Sequence, residues 1–174
     1  IFNHVIEFGG EAAMTSVSHP SGTDRCAETI SKYSNEFDLV INIQGDEPYI
    51  FPQQIDLLIN TIKKSDAQIG TLVKQITTRE ELFSHNIPKV VRDRNGFALY
   101  FSRQPIPFAK EPEIIHNIKQ GIYLKHIGIY GYQSRILPAL TALPIGKLEK
   151  SESLEQLRWL ENGFKIMTAM SDHD

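Results

Sequence analysis

A single cysteine, Cys26, in a chain of 174 residues excludes an internal disulfide, and no Cys/His spacing of the zinc type accompanies it. A lone thiol fits a reducing cytoplasm. Net charge is also scarce, because 18 Lys and Arg set against 21 Asp and Glu leave a formal -3. Such a balance exerts no long-range pull on nucleic acid or on an anionic membrane. Any anionic ligand then has to be held by local Arg, Lys, metal or backbone N–H groups. No apolar run is long enough to cross a bilayer, and no signal-peptide pattern opens the chain. Repeats, low-complexity tracts and dividing linkers are missing too. What remains is one domain over 1–174, with 41% hydrophobic residues available for its core.

Short β-type runs alternate with helical stretches. The apolar pattern predicts strands at 11–15, 38–44, 68–75, 88–93, 97–102, 126–133 and 165–170. Helices are predicted over 23–33, over 52–63, where Ile55, Leu58, Ile59 and Ile62 recur at helical spacing, and over 151–162, where Leu154, Leu157 and Leu160 recur. The succession predicts a three-layer α/β fold with a mixed, mostly parallel sheet. The mixed character comes from the Arg94-Asn95-Gly96 turn, which joins two of the strands as a hairpin.

The apolar run from Asp38 ends in Gln44-Gly45-Asp46-Glu47-Pro48. In open α/β sheets, ligands settle beyond the carboxyl ends of strands, so these two carboxylates stand where a crevice should be. A carboxylate there suits Mg²⁺, which takes one or two protein carboxylates and completes its octahedron with water and phosphate oxygens. Solvated or helix-capping acids are the alternative reading. The His19-Pro20-Ser21-Gly22-Thr23 stretch offers a helix cap, or a seat for part of a nucleotide on backbone amides. Arg103 directly follows a strand and could hold a carboxylate or phosphate bidentately, or make an ordinary surface ion pair. His126, Gly128, Tyr130 and Tyr132 alternate on one strand face, as a sugar-lined wall or as core. Glu155 and Gln156 lie beside an apolar helix seam, at a cavity edge or on a solvated rim.

Taken together, FGGEAAMTSVSHPSGTDR, VINIQGDEPYI, ALYFSRQPIP, HIGIYGY and LEQLRWLENG resemble the 3-deoxy-D-manno-octulosonate cytidylyltransferases, or CMP-Kdo synthetases, from Gly9 almost to the end of the chain. The resemblance implies a Rossmann-like nucleotidyltransferase, usually a homodimer, that depends on Mg²⁺. Such an enzyme joins CTP to the eight-carbon acid sugar Kdo for lipopolysaccharide synthesis. It implies Asp46 as the metal aspartate and as a catalytic residue, and Gln44 as a substrate contact. It assigns His126, Tyr130, Glu155 and Gln156 to the sugar, Arg103 to the acid sugar as a second catalytic residue, and His19, Ser21 and Gly22 to the cytidine part.

Family members open with a strand and a basic loop resembling PARxxSxRLPGKPL, and carry a later GxDTxxDL-like segment with a second metal aspartate. Neither pattern occurs in residues 1–174. The chain therefore reads as part of a longer protein, since an absent first strand would leave buried backbone groups without partners. Two other functions remain open at this point: transfer of CMP to a related sugar, such as a sialic acid or an amino-substituted Kdo, and a non-catalytic fragment that acts by association.

Overall fold

The computed structural model describes residues 1–33, 37–45 and 49–173. In chain order the elements are α1 (Phe2–Glu7), α2 (Gly22–Ser31), β1 (Leu39–Asn42), α3 (Pro52–Lys63), β2 (Ile69–Gln75), α4 (Arg79–Phe83), β3 (Lys89–Arg92), β4 (Ala98–Ser102), α5 (Glu113–Lys119) and β5 (Leu124–Gln133). A 3-10 turn at Ser134–Ile136 then leads into α6 (Leu137–Thr141), followed by α7 (Lys147–Glu152), α8 (Gln156–Glu161) and β6 (Ile166–Met170).

The ten-residue β5 is the axis of the sheet. Along one edge it pairs with the whole of β2, from Ile69 opposite Tyr132 to Gln75 opposite Leu124. Its other edge is shared: β1 covers residues 130–133 and β3 covers residues 124–125. β6 lies outside β2, and β4 lies outside β3. The sheet is mixed, but among the described strands only β2 and β6 pair in parallel, so the expectation of a mostly parallel sheet is corrected to a mostly antiparallel one. Near-continuous apolar strands arise wherever both sheet faces are covered, which is the usual state of a parallel sheet but here holds for a mostly antiparallel one.

Both faces are covered. Leu58 and Ile62 of α3 pack on Leu72, Ile127 and Ile129. On the opposite face, α6 and α8 bring Leu137, Leu140, Leu157 and Trp159 against Ile69, Val73, Tyr130, Tyr132 and Ile166. Each fully buried side chain of this size contributes about 1.5–3 kcal/mol. α3 rides close to the sheet because Gly70 and Gly131 stand opposite one another beneath it. A Cβ on Gly70 would lie 2.7 Å from Ile62 Cγ1. The Asn-Gly hairpin forms as expected: Asp93 N–H donates to Phe97 O, and Gly96 takes φ 93°.

Two predicted elements differ. Residues 11–15 form no strand, because their polar groups are taken by α2: Arg25 donates to Thr15 Oγ1 at 2.9 Å and Lys32 donates to Met14 O at 2.9 Å. The helix predicted over 151–162 is broken into α7 and α8 at Ser153, which sits at φ 53°. The leucine period continues through the break, and so conceals it.

Candidate active site

The sharing of one β5 edge by two strands opens a notch. β1 stops at Asn42, opposite Tyr130, and β3 reaches only to Lys89, opposite Lys125. Between them no described residue pairs with this edge of β5 over 127–129, and a cavity of about 330 Å³ lined by Asn86, Ile87, Pro88, His126 and Gly128 lies beside it. Gln44, half-buried, follows β1 toward this region. Asp46 lies outside the described residues.

α2 begins on the same side. Ser21 caps it, accepting the Asp24 N–H at 3.2 Å and donating its hydroxyl to Asp24 Oδ2 at 2.5 Å. Gly22 rests against the Asn42 carboxamide, where an added Cβ would stand 3.2 Å from Nδ2. Thr23, buried, links three elements. Its Oγ1 lies 3.2 Å from the Tyr132 hydroxyl on β5 and donates to Glu155 Oε2 at 2.9 Å, at the start of α8. His19 is engaged elsewhere: its Nε2 pairs with Glu28, whose other oxygen takes Lys32.

The wall formed by β5 and α8 is aromatic. His126 and Tyr130 have ring centroids 5.2 Å apart, and Trp159 meets Tyr130 edge-on at 5.2 Å and Tyr132 edge-on at 5.7 Å. Among the described residues, two buried nitrogens have no hydrogen-bond partner, Gln156 Nε2 and Trp159 Nε1, both on α8. The indole N–H belongs to a ring set nearly perpendicular to two tyrosines. The Gln156 amide is a buried donor whose hydrogen-bonding capacity is unused among the described residues.

Arg103 does not aim its fork into the notch. Its Nε–H goes to Glu152 O at 2.8 Å, one terminal N–H to His85 O at 2.9 Å and another to Ser153 O at 3.2 Å. It thus holds the α7–α8 break from which Glu155 and Gln156 project. Arg158 braces the same helix by a two-pronged contact with Glu149 at 2.6 and 2.7 Å.

Burial shapes the ionisation here. It pushes the His126 imidazole down to about 3, so the ring is neutral at physiological pH. It raises the Glu155 carboxyl above the usual Glu range, against the Thr23 hydrogen bond and the Arg158 charge, which pull the other way. Desolvation also pushes the Cys26 thiol up to about 11, leaving it unreactive.

The structure therefore joins Glu155, Tyr130, His126, Ser21 and Gly22 through Thr23, Tyr132, Asn42 and Trp159, whereas Arg103 is held by backbone carbonyls of His85, Glu152 and Ser153 and His19 by Glu28 of α2. Thr23, read from the sequence only as part of a helix cap, and Asn42, a polar residue in the apolar run 39–43 that the sequence reading left unassigned, are the links that the tertiary structure adds.

Among the described residues, no group of three or more His, Cys, Asp or Glu could hold a metal ion. A site of the kind Mg²⁺ prefers needs fewer protein carboxylates than that.

Residues 1–166 match the family profile described as cytidylyltransferase. A 3-deoxy-manno-octulosonate cytidylyltransferase of Thermodesulfovibrio yellowstonii is 51% identical over 98% of this chain and 70% of its own length. A protein of the same name from Bacteroides thetaiotaomicron is 49% identical over 95% of this chain and 67% of its own. Among solved structures, a CMP:2-keto-3-deoxy-manno-octonic acid synthetase complexed with CTP superposes with a TM-score of 0.84 at 39% identity, covering 97% of this chain and 67% of the other. The chain belongs to the cytidylyltransferase family, within its 3-deoxy-manno-octulosonate cytidylyltransferases.

Proposed function

We propose that the protein transfers CMP from CTP to the anomeric hydroxyl of Kdo, releasing pyrophosphate and supplying CMP-Kdo for lipopolysaccharide synthesis. The observation that carries this reading is the joined wall of Glu155, Tyr130 and His126 beside the unpaired amide of Gln156, in a chain whose relatives bear that name. A polyol needs both kinds of partner at a cavity edge. The unpaired Gln156 N–H is a donor, and the Glu155 carboxylate and neutral His126 supply acceptors.

The reaction joins the anomeric oxygen to the α-phosphorus as the bond to the β-phosphate oxygen breaks, and the hydroxyl proton is released. It brings a sugar carboxylate beside a triphosphate. Two unit charges about 4 Å apart repel by roughly 4 kcal/mol at an effective dielectric near 20, so compensation is required. Mg²⁺, when bound, would neutralise phosphate charge and polarise the α-phosphoryl group, and Asp46 is the residue on which it would sit. Gln44, next to that corner, would contact substrate. Ser21 and Gly22 expose the first turn of α2 toward the cytidine part, with His19 alongside. Arg103 serves the acid sugar by fixing the α7–α8 break. On this reading the working unit is a cytoplasmic homodimer. None of the described helices is long and apolar enough to cross a membrane.

The test is to incubate the complete protein with CTP, Kdo and Mg²⁺ and to follow pyrophosphate and the mass of the sugar product. Equal or faster turnover of a sialic acid or an amino-substituted Kdo would reassign the sugar, and silence with all three would remove the activity.

A further inference from the structure

We propose that Thr71 fixes the tautomer of His126, so that the imidazole presents Nδ1 as a bare hydrogen-bond acceptor to a hydroxyl of the acid sugar. The inference rests on the reading of His126 as part of the sugar wall, and adds which atom makes the contact and which residue sets it.

β5 is irregular where it pairs with β2. Thr71 pairs with Tyr130, yet the next residue, Leu72, pairs with Ile127, so Gly128 and Ile129 are extra on the β5 side. Bulges of this kind re-aim side chains and commonly border active sites. Here the bulge turns two carbonyls toward one hydroxyl: Thr71 Oγ1 lies 2.7 Å from Ile129 O and 3.3 Å from Ile127 O. A carbonyl oxygen only accepts, so the single hydroxyl proton of Thr71 is committed to Ile129 O. The same Oγ1 is 2.9 Å from His126 Nε2. With its proton committed, the oxygen can only accept at that contact, and Nε2 has to carry a hydrogen.

A neutral imidazole carries one N–H, so Nδ1 holds a lone pair. Burial keeps the ring neutral, as described above. Contacts with Phe101, edge-on at 5.2 Å, and with Tyr130 hold its orientation. Nδ1 has no hydrogen-bond partner among the described residues, and His126 borders the notch cavity. A bare nitrogen discriminates by chemistry. It takes the proton of an alcohol and repels the lone pairs of a carboxylate or phosphate, which assigns His126 to the sugar hydroxyls rather than to the acid group.

The experiment uses the complete protein with ¹⁵N-labelled histidine, the His126 signals being assigned from a His126→Gln variant. Two-bond ¹⁵N–¹H correlations near neutral pH are expected to show a protonated Nε2 and an unprotonated Nδ1, with no titration between about pH 8 and pH 5. An Nδ1–H tautomer or an imidazolium overturns the proposal, and this measurement requires no substitution at Thr71. In steady-state kinetics, Thr71→Val is expected to raise KM for the acid sugar about tenfold, the worth of one hydrogen bond, with KM for CTP unchanged and Thr71→Ser restoring the value. An unchanged sugar KM in Thr71→Val overturns the contact with a sugar hydroxyl. Failure of the proposed reaction would look different: the unsubstituted protein would turn over no acid sugar, while the NMR result would still decide the tautomer.

Discussion

Arg103 and Glu152 grip each other twice, the Arg103 backbone N–H donating to Glu152 Oε2 at 2.9 Å and its Nε–H donating to Glu152 O at 2.8 Å. The other oxygen of the carboxylate takes the Ser102 hydroxyl at 2.7 Å. The end of β4 is thereby locked to the α7–α8 break, two residues ahead of Leu154 and three ahead of Glu155. Glu152→Ala strands the Arg103 backbone N–H and the Ser102 hydroxyl, while the contact of Arg103 Nε–H with the main-chain carbonyl remains, and should cost about 2 kcal/mol, measurable as a lower urea midpoint. If the lock positions Glu155 and Gln156, KM for the acid sugar should rise with KM for CTP unchanged, and Glu152→Gln, which keeps one acceptor, should recover part of it. A selective rise in KM for CTP would place the lock on the nucleotide side instead.

Acid should loosen the segment ahead of α2. The Glu28 carboxyl is lowered to about 2, first by its hydrogen bond with Lys32, then by the Ser16 N–H and by His19. A carboxylate whose folded pKa is depressed contributes stability that is present above its unfolded value, near 4.5, and lost as pH falls toward about 2. The Ser16 amide, donating to Glu28 Oε2 at 2.9 Å, is the probe. Its hydrogen-exchange protection should fall across that window, after correction for the intrinsic exchange rate, and should already be low at neutral pH in Glu28→Gln. Equal protection in the variant would show that the segment is held by other contacts.

The seat of α3 should resist any added methyl group. Gly70→Ala places a Cβ against Ile62 Cγ1 at 2.7 Å and Leu58 Cδ1 at 3.1 Å, and overpacking of this kind costs about 1–3 kcal/mol. Ile62→Ala in the same chain opens the space, so the double variant should be more stable than the sum of the single losses predicts. Strict additivity in a thermal or urea cycle would mean that the helix shifts bodily away from the sheet.

Asp46→Ala in the complete protein should abolish Mg²⁺-dependent turnover while leaving the far-UV circular dichroism and the thermal midpoint near those of the parent. A variant with a near-normal rate and an unchanged Mg²⁺ requirement would remove Asp46 from the metal site.

Much of the scaffold was legible in residue order because the signals are local. Pro52 with the spacing of Leu58 and Ile62 marks α3, Ser21 marks the start of α2, and Asn95-Gly96 marks the β3–β4 turn. The alternation of His126, Tyr130 and Tyr132 put them on one face of β5, where they lie. The sequence misled where a distant partner overrides a local pattern. Residues 11–15 read as a strand, but Arg25 and Lys32 take their polar groups. The leucines at 154, 157 and 160 read as one helix, but Arg103 and Ser102 hold the chain open at Glu152 and Ser153.

By itself, then, the order of residues determined the α/β class, the positions of most helices and strands, and a set of motifs specific enough to resemble one family. These depend on periodicity, capping and turn chemistry within a few neighbours. Only the tertiary structure decided that the sheet is mostly antiparallel, that Arg103 is occupied by backbone carbonyls, and that Thr71 sits between a bulged carbonyl and His126. Each of these is a pairing between residues far apart in the chain, and the directional hydrogen bonds that settle it exist only once the strands have closed around β5.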